Sequence, residues 1–132
     1  MERAIRVMGD VKDLNDWLRG AGLNEARLVP SGDRVSLVVD LTRAMFEQPP
    51  VRRGLFKQQT PWTACRLTLN GITQSTVKRV ETAPDETPLI ACDAIHNGYQ
   101  CTVQAPDGMQ FVLTMETLDG RLTDVGSPIA AP

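Results

Sequence analysis

Apolar and polar residues alternate over residues 34–41, a pattern that predicts a β-strand with one buried face. The apolar members of the series are Val35, Leu37, Val39 and Leu41. The preceding dipeptide Ser31-Gly32 is typical of a two-residue hairpin turn. With that turn, Leu28 would lie opposite Val35, and Ala26 would lie opposite Leu37. Both pairs would share one apolar face, so the segment is predicted to form a hairpin.

A helical period occurs once, in the segment DVKDLNDWLRGAG. Its apolar side chains form a single stripe made by Val11, Leu14, Trp17 and Leu18. Asp10 is the expected N-cap, and Gly20 or Gly22 would end the helix, so we predict a helix over about residues 10–20. Because Trp17 lies on the apolar stripe, we interpret it as a core anchor rather than a ligand-stacking residue.

A β-meander is predicted over about residues 88–126. Its first turn is Asn97-Gly98, a strong signal for a two-residue hairpin turn. This turn would place Cys92 opposite Val103 and Ala94 opposite Cys101.

The second turn of the meander is predicted at Pro106, Asp107 and Gly108, which suit a three-residue loop with a bulged glycine. This turn would pair Cys101 with Leu113 and Val103 with Phe111. The two turns independently bury the same side chains, which are Tyr99, Cys101, Val103 and Ala105. A shift of one residue in either hairpin would mix this set with polar neighbours.

The segment CDAIHNGYQC, residues 92–101, contains the residue types of a zinc or thiol nucleophile site. In the predicted register, Asp93 points to the face opposite Cys92 and His96. Cys92 and Cys101 would be diagonal neighbours about 7–8 Å apart, too far for a disulfide. We therefore predict two buried free thiols, a turn histidine, and no catalytic, metal or cofactor site. A hydrolase that uses His96 is the alternative.

Residues 44–61 interrupt the strand pattern, and Pro49-Pro50 excludes a central strand there. We predict a long irregular loop whose Leu55 and Phe56 cover the core. A candidate basic group in this loop consists of Arg52, Arg53 and Lys57. Contact with a phosphate or an acidic partner is one interpretation of these residues, and a solvated surface is the other.

Together these elements predict one mainly β domain over residues 1–132. The expected fold class is an antiparallel β-sandwich or strongly bent sheet of about 7–8 strands, with one N-terminal helix. The formal net charge of -2 offers no general attraction to nucleic acid or to an anionic membrane, so neither is expected as a partner. Because the three cysteines are odd in number and the first residues lack an apolar leader, we expect a cytoplasmic protein.

Three stretches resemble a group of small bacterial β-rich domains of unknown function, some of which look like immunity proteins of polymorphic toxin systems. The stretches are LNEARLVPSGDRVSLVVDLT, WTACRLTLNGITQSTV and PLIACDAI, within residues 10–95. Asn24-Glu25 stands where the group typically has His-Asp, and Leu69 stands where it has Phe. The resemblance implies a β-rich fold and a non-enzymatic role.

We therefore expect a non-catalytic protein-interaction or accessory domain that binds a protein partner or a second copy of itself. The candidate interaction surface is the outer face of the meander, formed by Leu89, Ala91, Ile95 and Val112. The alternative is a small-ligand-binding domain with a cavity between helix and sheet or under the 44–61 loop.

Overall fold

The computed structural model describes residues 2–45, 51–53, 57–59, 61–80 and 88–126, with only the backbone described for 51–53 and 57–59. In this part of the chain, one α-helix and ten β-strands follow one another. The helix is α1 (Met8–Trp17). The strands are β1 (Glu2–Ile5), β2 (Gly22–Ser31), β3 (Arg34–Ala44), β4 (Val51–Arg53), β5 (Lys57–Gln59), β6 (Trp62–Arg79), β7 (Ile90–Ile95), β8 (Gly98–Gln104), β9 (Met109–Met115) and β10 (Gly120–Asp124).

Eight of the strands form one curled antiparallel sheet organised around the 18-residue strand β6. The first half of β6 lies between β3 and β10, with β2 outside β3 and β1 outside β10. The second half pairs with β9, and β8 and β7 follow. A mainly β fold with a strongly bent sheet and one N-terminal helix was predicted, and this prediction is confirmed.

The sheet bends in the middle of β6. Gly71 has a φ of 69°, a left-handed conformation that glycine adopts at no steric cost. The pairing with β9 then shifts its register between Ile72 and Gln74. A bulge of this kind bends a strand and increases its twist. The two halves of β6 therefore serve two differently directed parts of the sheet.

The core lies inside the curl and follows the predicted alternation. In β3, Leu37, Val39 and Leu41 are fully buried. The predicted meander set is confirmed as well, with Cys101, Val103 and Ala105 buried and Tyr99 packed on the core. The remaining large core side chains include Ile5, Leu67, Leu69, Ile72, Ile90, Leu113, Met115 and Leu122.

Helix α1 packs against β1 and β7. Val11, Leu14 and Leu18 are buried, as the stripe predicted, and Trp17 is half-buried. The helix begins earlier than predicted, because Val7 and not Asp10 is the N-cap. Asp10 instead lies in the first turn, where its carboxylate accepts hydrogen bonds from the backbone N–H groups of Arg6 and Val7. This carboxylate fixes the start of the helix from inside it.

The β2–β3 hairpin has the predicted buried face but a different register. Its turn residues are Gly32 and Asp33, and Gly32 has a φ of 64°. A glycine with positive φ at the first turn position is typical of a type II′ turn. Leu28 therefore lies opposite Leu37 and not Val35. Moving the turn by one residue shifts the register by two, which leaves each side chain on its predicted face.

The turn of the β7–β8 hairpin is also displaced by one residue from its predicted position, here toward the N-terminus. Its turn is His96-Asn97, so Gly98 is the first residue of β8 and not part of the turn. A β-carbon at position 98 would collide with the carbonyl oxygen of Met115, which explains why glycine is needed inside the strand. The β8–β9 register is the predicted one, with Cys101 opposite Leu113.

The segment over residues 44–61 is predicted to be an irregular loop, but part of it is regular. Ala44 ends β3, and Trp62 begins β6 directly opposite it. Between these positions, β4 and β5 form a short antiparallel ladder with Arg53 opposite Lys57. The proposed core contacts of Leu55 and Phe56 lie outside the described residues.

The displaced turn brings Cys92 directly opposite Cys101, and the two residues form a disulfide with their Cα atoms 4.1 Å apart. The prediction of two free thiols was therefore wrong, because it rested on a register with the cysteines diagonal. In an antiparallel ladder, two residues that face each other without sharing backbone hydrogen bonds have close Cα atoms. A disulfide can form between cysteines at such a pair of positions. Cys65 is free and buried. The odd cysteine count thus reflects one bridge and one thiol, and no longer favours a reducing compartment.

We expect the disulfide to be detectable by counting thiols. Alkylation of the denatured chain without reductant should modify Cys65 alone, and all three cysteines should react after reduction. The Cys92→Ser/Cys101→Ser variant should lose about 2–3 kcal/mol of unfolding free energy, the value expected for a loop of this size. Three reactive thiols in the non-reduced, denatured chain would contradict the register.

Candidate functional site

The residues of the segment 92–101 do not converge on one point. Cys92 and Cys101 are bonded to each other, so neither sulfur is available as a nucleophile or ligand. Asp93 pairs with Gln100 on the opposite face of the sheet and is exposed. His96 is exposed in the turn. Over the described ranges, no three residues among His, Cys, Asp and Glu are grouped so that they could hold a metal ion.

A buried ion pair lies where the apolar inner face of the sheet ends. Arg43 continues the inward-facing series of β3, and none of its side chain is exposed. Its Nε and Nη2 atoms donate to the two carboxylate oxygens of Asp124 at 2.9 and 2.8 Å. The Nη1 atom of Arg43 also donates to the backbone oxygen of Ala44 at 3.3 Å. Two parallel charge-assisted hydrogen bonds fix the end of β10 against the end of β3.

Burial of the Arg43–Asp124 pair changes the pKa values of Asp124 and of the neighbouring Cys65. Burial is the largest single influence on the pKa of Asp124 and raises it, but several lowering interactions, among them the hydrogen bonds and the charge of Arg43, together hold that pKa below its ordinary value. Burial also raises the pKa of the neighbouring Cys65 to about 12. The Cys65 thiol is therefore protonated at neutral pH and is a poor nucleophile. The Arg43–Asp124 pair and Cys65 therefore have a structural role, in which a charged pair is held inside the fold.

Trp17 connects the ion pair to the helix. The ring centroid of Trp17 lies 6.0 Å from Cζ of Arg43 and 4.9 Å from Cζ of Arg3. Both distances allow a cation–π interaction with the ring. Trp17 therefore helps to position the helix over β1 and β3, but its interpretation as a core anchor was wrong, because it is half-buried and lies outside the buried core.

A cavity of about 210 Å³ lies between α1 and β1. A cavity between helix and sheet was predicted for the ligand-binding alternative, with an apolar lining. Half of the eight lining residues are charged instead: Glu2, Arg3, Asp10 and Asp13. The other proposed cavity, under the 44–61 loop, depends on residues outside the described ones.

The residues predicted to form the outer surface of the meander lie in different surroundings. Ala91 and Val112 lie in one row through Thr102, and Ile95 is 41% exposed. Leu89 departs from this surface, because it precedes β7 and packs against the core. For the candidate basic group, the backbones of Arg52, Arg53 and Lys57 lie in the β4–β5 ladder, and their side chains are outside the description.

The sheet has an open edge that the sequence did not reveal. Residues 73–79 of β6 are exposed, and β9 is their one strand partner within the described ranges. The edge of β7 is different, because the side-chain amide of Asn15 from α1 pairs with it. The Asn15 Nδ2 atom donates to the Ile90 carbonyl at 2.7 Å, and the Asn15 Oδ1 atom accepts from the Ile90 N–H at 3.1 Å. The helix thus pairs with the start of the β7 edge, whereas residues 73–79 of β6 are paired on one side only within the described ranges.

No family model, curated protein or solved structure matches the chain. The described part of the chain has no helix with the length and apolarity that a membrane crossing requires.

Replacing Arg43 by Met should lower the free energy of unfolding by about 3–5 kcal/mol, because Asp124 would lose its guanidinium partner in a buried site. Arg34→Met is the matched control, since Arg34 forms an exposed pair with Glu116, and we expect a change of at most about 1 kcal/mol. Urea unfolding curves measure both.

The Arg43–Asp124 pair should also make the free energy of unfolding depend on pH in the acidic range. Because the folded-state pKa of Asp124 is lowered, its contribution is complete above the unfolded value of about 3.9 and is lost as the pH falls through the folded value. Asp124→Asn should therefore lose less stability than the wild type between about pH 5 and pH 2. Equal losses in the two proteins would contradict the assignment.

Proposed function

We propose that this protein is a non-catalytic interaction domain that binds by adding a strand to the open edge of β6, and that a second copy of the chain is a partner. The observation that supports this proposal is the exposed segment 73–79, whose backbone is paired on one side only within the described residues. Strand addition to such an edge is a common mode of protein recognition.

The direction of the free hydrogen-bonding groups follows from the ladder. The backbone N–H of Val80 donates to the Gly108 carbonyl at 2.8 Å. Hydrogen-bonded and non-hydrogen-bonded pairs alternate along an antiparallel ladder, so every second residue of β6 points its backbone groups away from β9. The residues that point outward are Ser75, Val77 and Arg79. They offer three donors and three acceptors to an incoming strand.

A second copy can satisfy all six groups. In an antiparallel arrangement centred on Val77, this residue would face Val77 of the other copy, and Ser75 would face Arg79. Lys78 would face Thr76, so no two cations would be directly opposite each other. Val77 is 46% exposed and would gain an apolar neighbour. A parallel arrangement in the same register would bring like charges together.

The outer surface predicted from the sequence is continuous with this edge. Val112 lies opposite Thr76 of β6 on one side and opposite Thr102 of β8 on the other, and Thr102 lies opposite Ala91. This row of small and β-branched side chains crosses the meander and ends at the open edge. A docked strand would extend the row into a sheet shared by two chains.

The resemblance to immunity-like domains supports a second class of partner, a toxin that is held by stoichiometric binding. A segment of that toxin would add to the same edge and would compete with self-pairing. Its favoured composition includes acidic residues opposite Lys78 and Arg79, because the edge carries these two cations and no carboxylate within residues 73–79.

Val77→Pro should weaken self-association without unfolding the chain. Proline removes the outward N–H, and the ladder with β9 does not use this group. We expect dimerisation to weaken by roughly thirtyfold, the loss of about two hydrogen bonds. Val77→Thr is the matched control, since it keeps the N–H and the branched side chain.

Sedimentation equilibrium gives the association constants of the three proteins. Protein concentrations of about 5–200 μM suit the affinity expected of a small interface. Circular dichroism checks that the variants remain folded. A wild-type chain that stays monomeric over this range contradicts self-pairing. Equal association of the proline and threonine variants contradicts the use of this edge.

A further inference from the structure

A groove of about 560 Å³ opens on the outer face of the sheet beside β1, β10 and the first half of β6. Three arginines line it, Arg6, Arg66 and Arg121, and Asp119 is the one carboxylate among the lining residues. Two further carboxylates, those of Asp40 and Glu2, lie outside this lining and pair with Arg66 and Arg121. The formal net charge of the chain is -2, so this positive lining is a local feature and not a consequence of overall composition. We propose that the groove binds a small organic phosphate whose phosphate group lies among the three guanidinium groups.

The register of β6 and β10 places complementary donors on the same face. Arg66 lies opposite Thr123, and Thr68 lies opposite Arg121. The two arginines therefore occupy one diagonal of a four-residue square, and the two threonine hydroxyls occupy the other. Diagonal neighbours across a sheet are about 7–8 Å apart. Long side chains at this spacing can reach one anion from two sides.

Two of the guanidinium groups form ion pairs with carboxylates of the neighbouring strands β3 and β1. The Nε atom of Arg66 donates to Oδ1 of Asp40 at 2.8 Å, and Nη1 of Arg121 lies 2.9 Å from Oε1 of Glu2. The pKa of Asp40 is lowered by its hydrogen bonds from Arg66 and Arg27, so its carboxylate stays charged. A guanidinium has five N–H donors, and each of these contacts uses one. The remaining donors are available to a ligand.

The arrangement suits a phosphate better than a carboxylate. A planar carboxylate is satisfied by one guanidinium in a two-bond pair. The groove presents donors from β6, from β10 and from Arg6 after β1. A tetrahedral phosphate with three terminal oxygens can accept from all of them. The volume lies within the range of small-molecule sites and exceeds what one phosphate needs, so the rest of the ligand can be accommodated.

Titration of the full chain with ribose 5-phosphate, followed by calorimetry, tests this proposal. We expect saturable binding that is tighter than for inorganic phosphate, and no binding of uncharged ribose. Arg66→Gln and Arg121→Gln should each weaken the binding on the order of tenfold, because each removes charged hydrogen bonds to the phosphate. Arg34→Gln removes the same charge away from the groove and should leave the affinity unchanged.

Circular dichroism confirms that each variant is folded, and the two arginine variants provide independent tests. An affinity that is the same in Arg66→Gln, Arg121→Gln and Arg34→Gln overturns the proposal. So does the absence of saturable binding at about 10 mM ligand, beyond the weakest affinities of specific sites. Binding of citrate without binding of the sugar phosphate would assign the groove to carboxylates and also overturn it.

Discussion

The continuity of β6 through its bend is the constraint on which the structure depends. Its first half is held on both edges, by β3 and β10, and its inward side chains Leu67 and Leu69 are fully buried. Its second half pairs with β9 alone in the described part of the chain, and its residues 73–79 are exposed. Gly71 permits the change of direction between the two halves. One strand therefore provides both the centre of the core and an accessible edge.

The inner face, the outer face and the open edge of the sheet carry different kinds of residues. The inner face is apolar until it reaches Arg43 and Asp124, which connect the last residues of β3 and β10. The outer face of the same strands carries the arginine groove around Arg66 and Arg121. The open edge lies beyond the bend, on the second half of β6. The proposed strand addition at that edge and the proposed anion binding in the groove would therefore use separate surfaces of the molecule.

The sequence predicted the buried and exposed faces better than the pairings. The alternation of side chains assigned the inward residues of β3, β8 and β9 correctly, because the face depends only on the parity of the position. The turns at Gly32 and Gly98 were each displaced by one residue, which changed the pairing but not the face. Gly98 is glycine because Met115 lies against it, a tertiary contact that turn propensity does not contain. The disulfide was missed for the same reason.

The candidate sites were less accessible to prediction. Arg43 continues the series Leu37, Val39 and Leu41, and a charge at that position was a signal of a buried pair. Its partner Asp124 is 81 residues away, and nothing local identifies it. The open edge and the arginine groove depend on which strands are neighbours, and the alternation within a strand does not determine that order.

Amide hydrogen exchange along β6, measured residue by residue at low and high protein concentration, tests the central claim most directly. At low concentration, the amides of Gln74, Thr76 and Lys78 should be protected, because they face β9. Those of Ser75, Val77 and Arg79 should exchange rapidly, and should become protected when the concentration is raised. Uniform protection of residues 74–79 at low concentration, or uniformly rapid exchange at both, would contradict a continuous strand with one open edge.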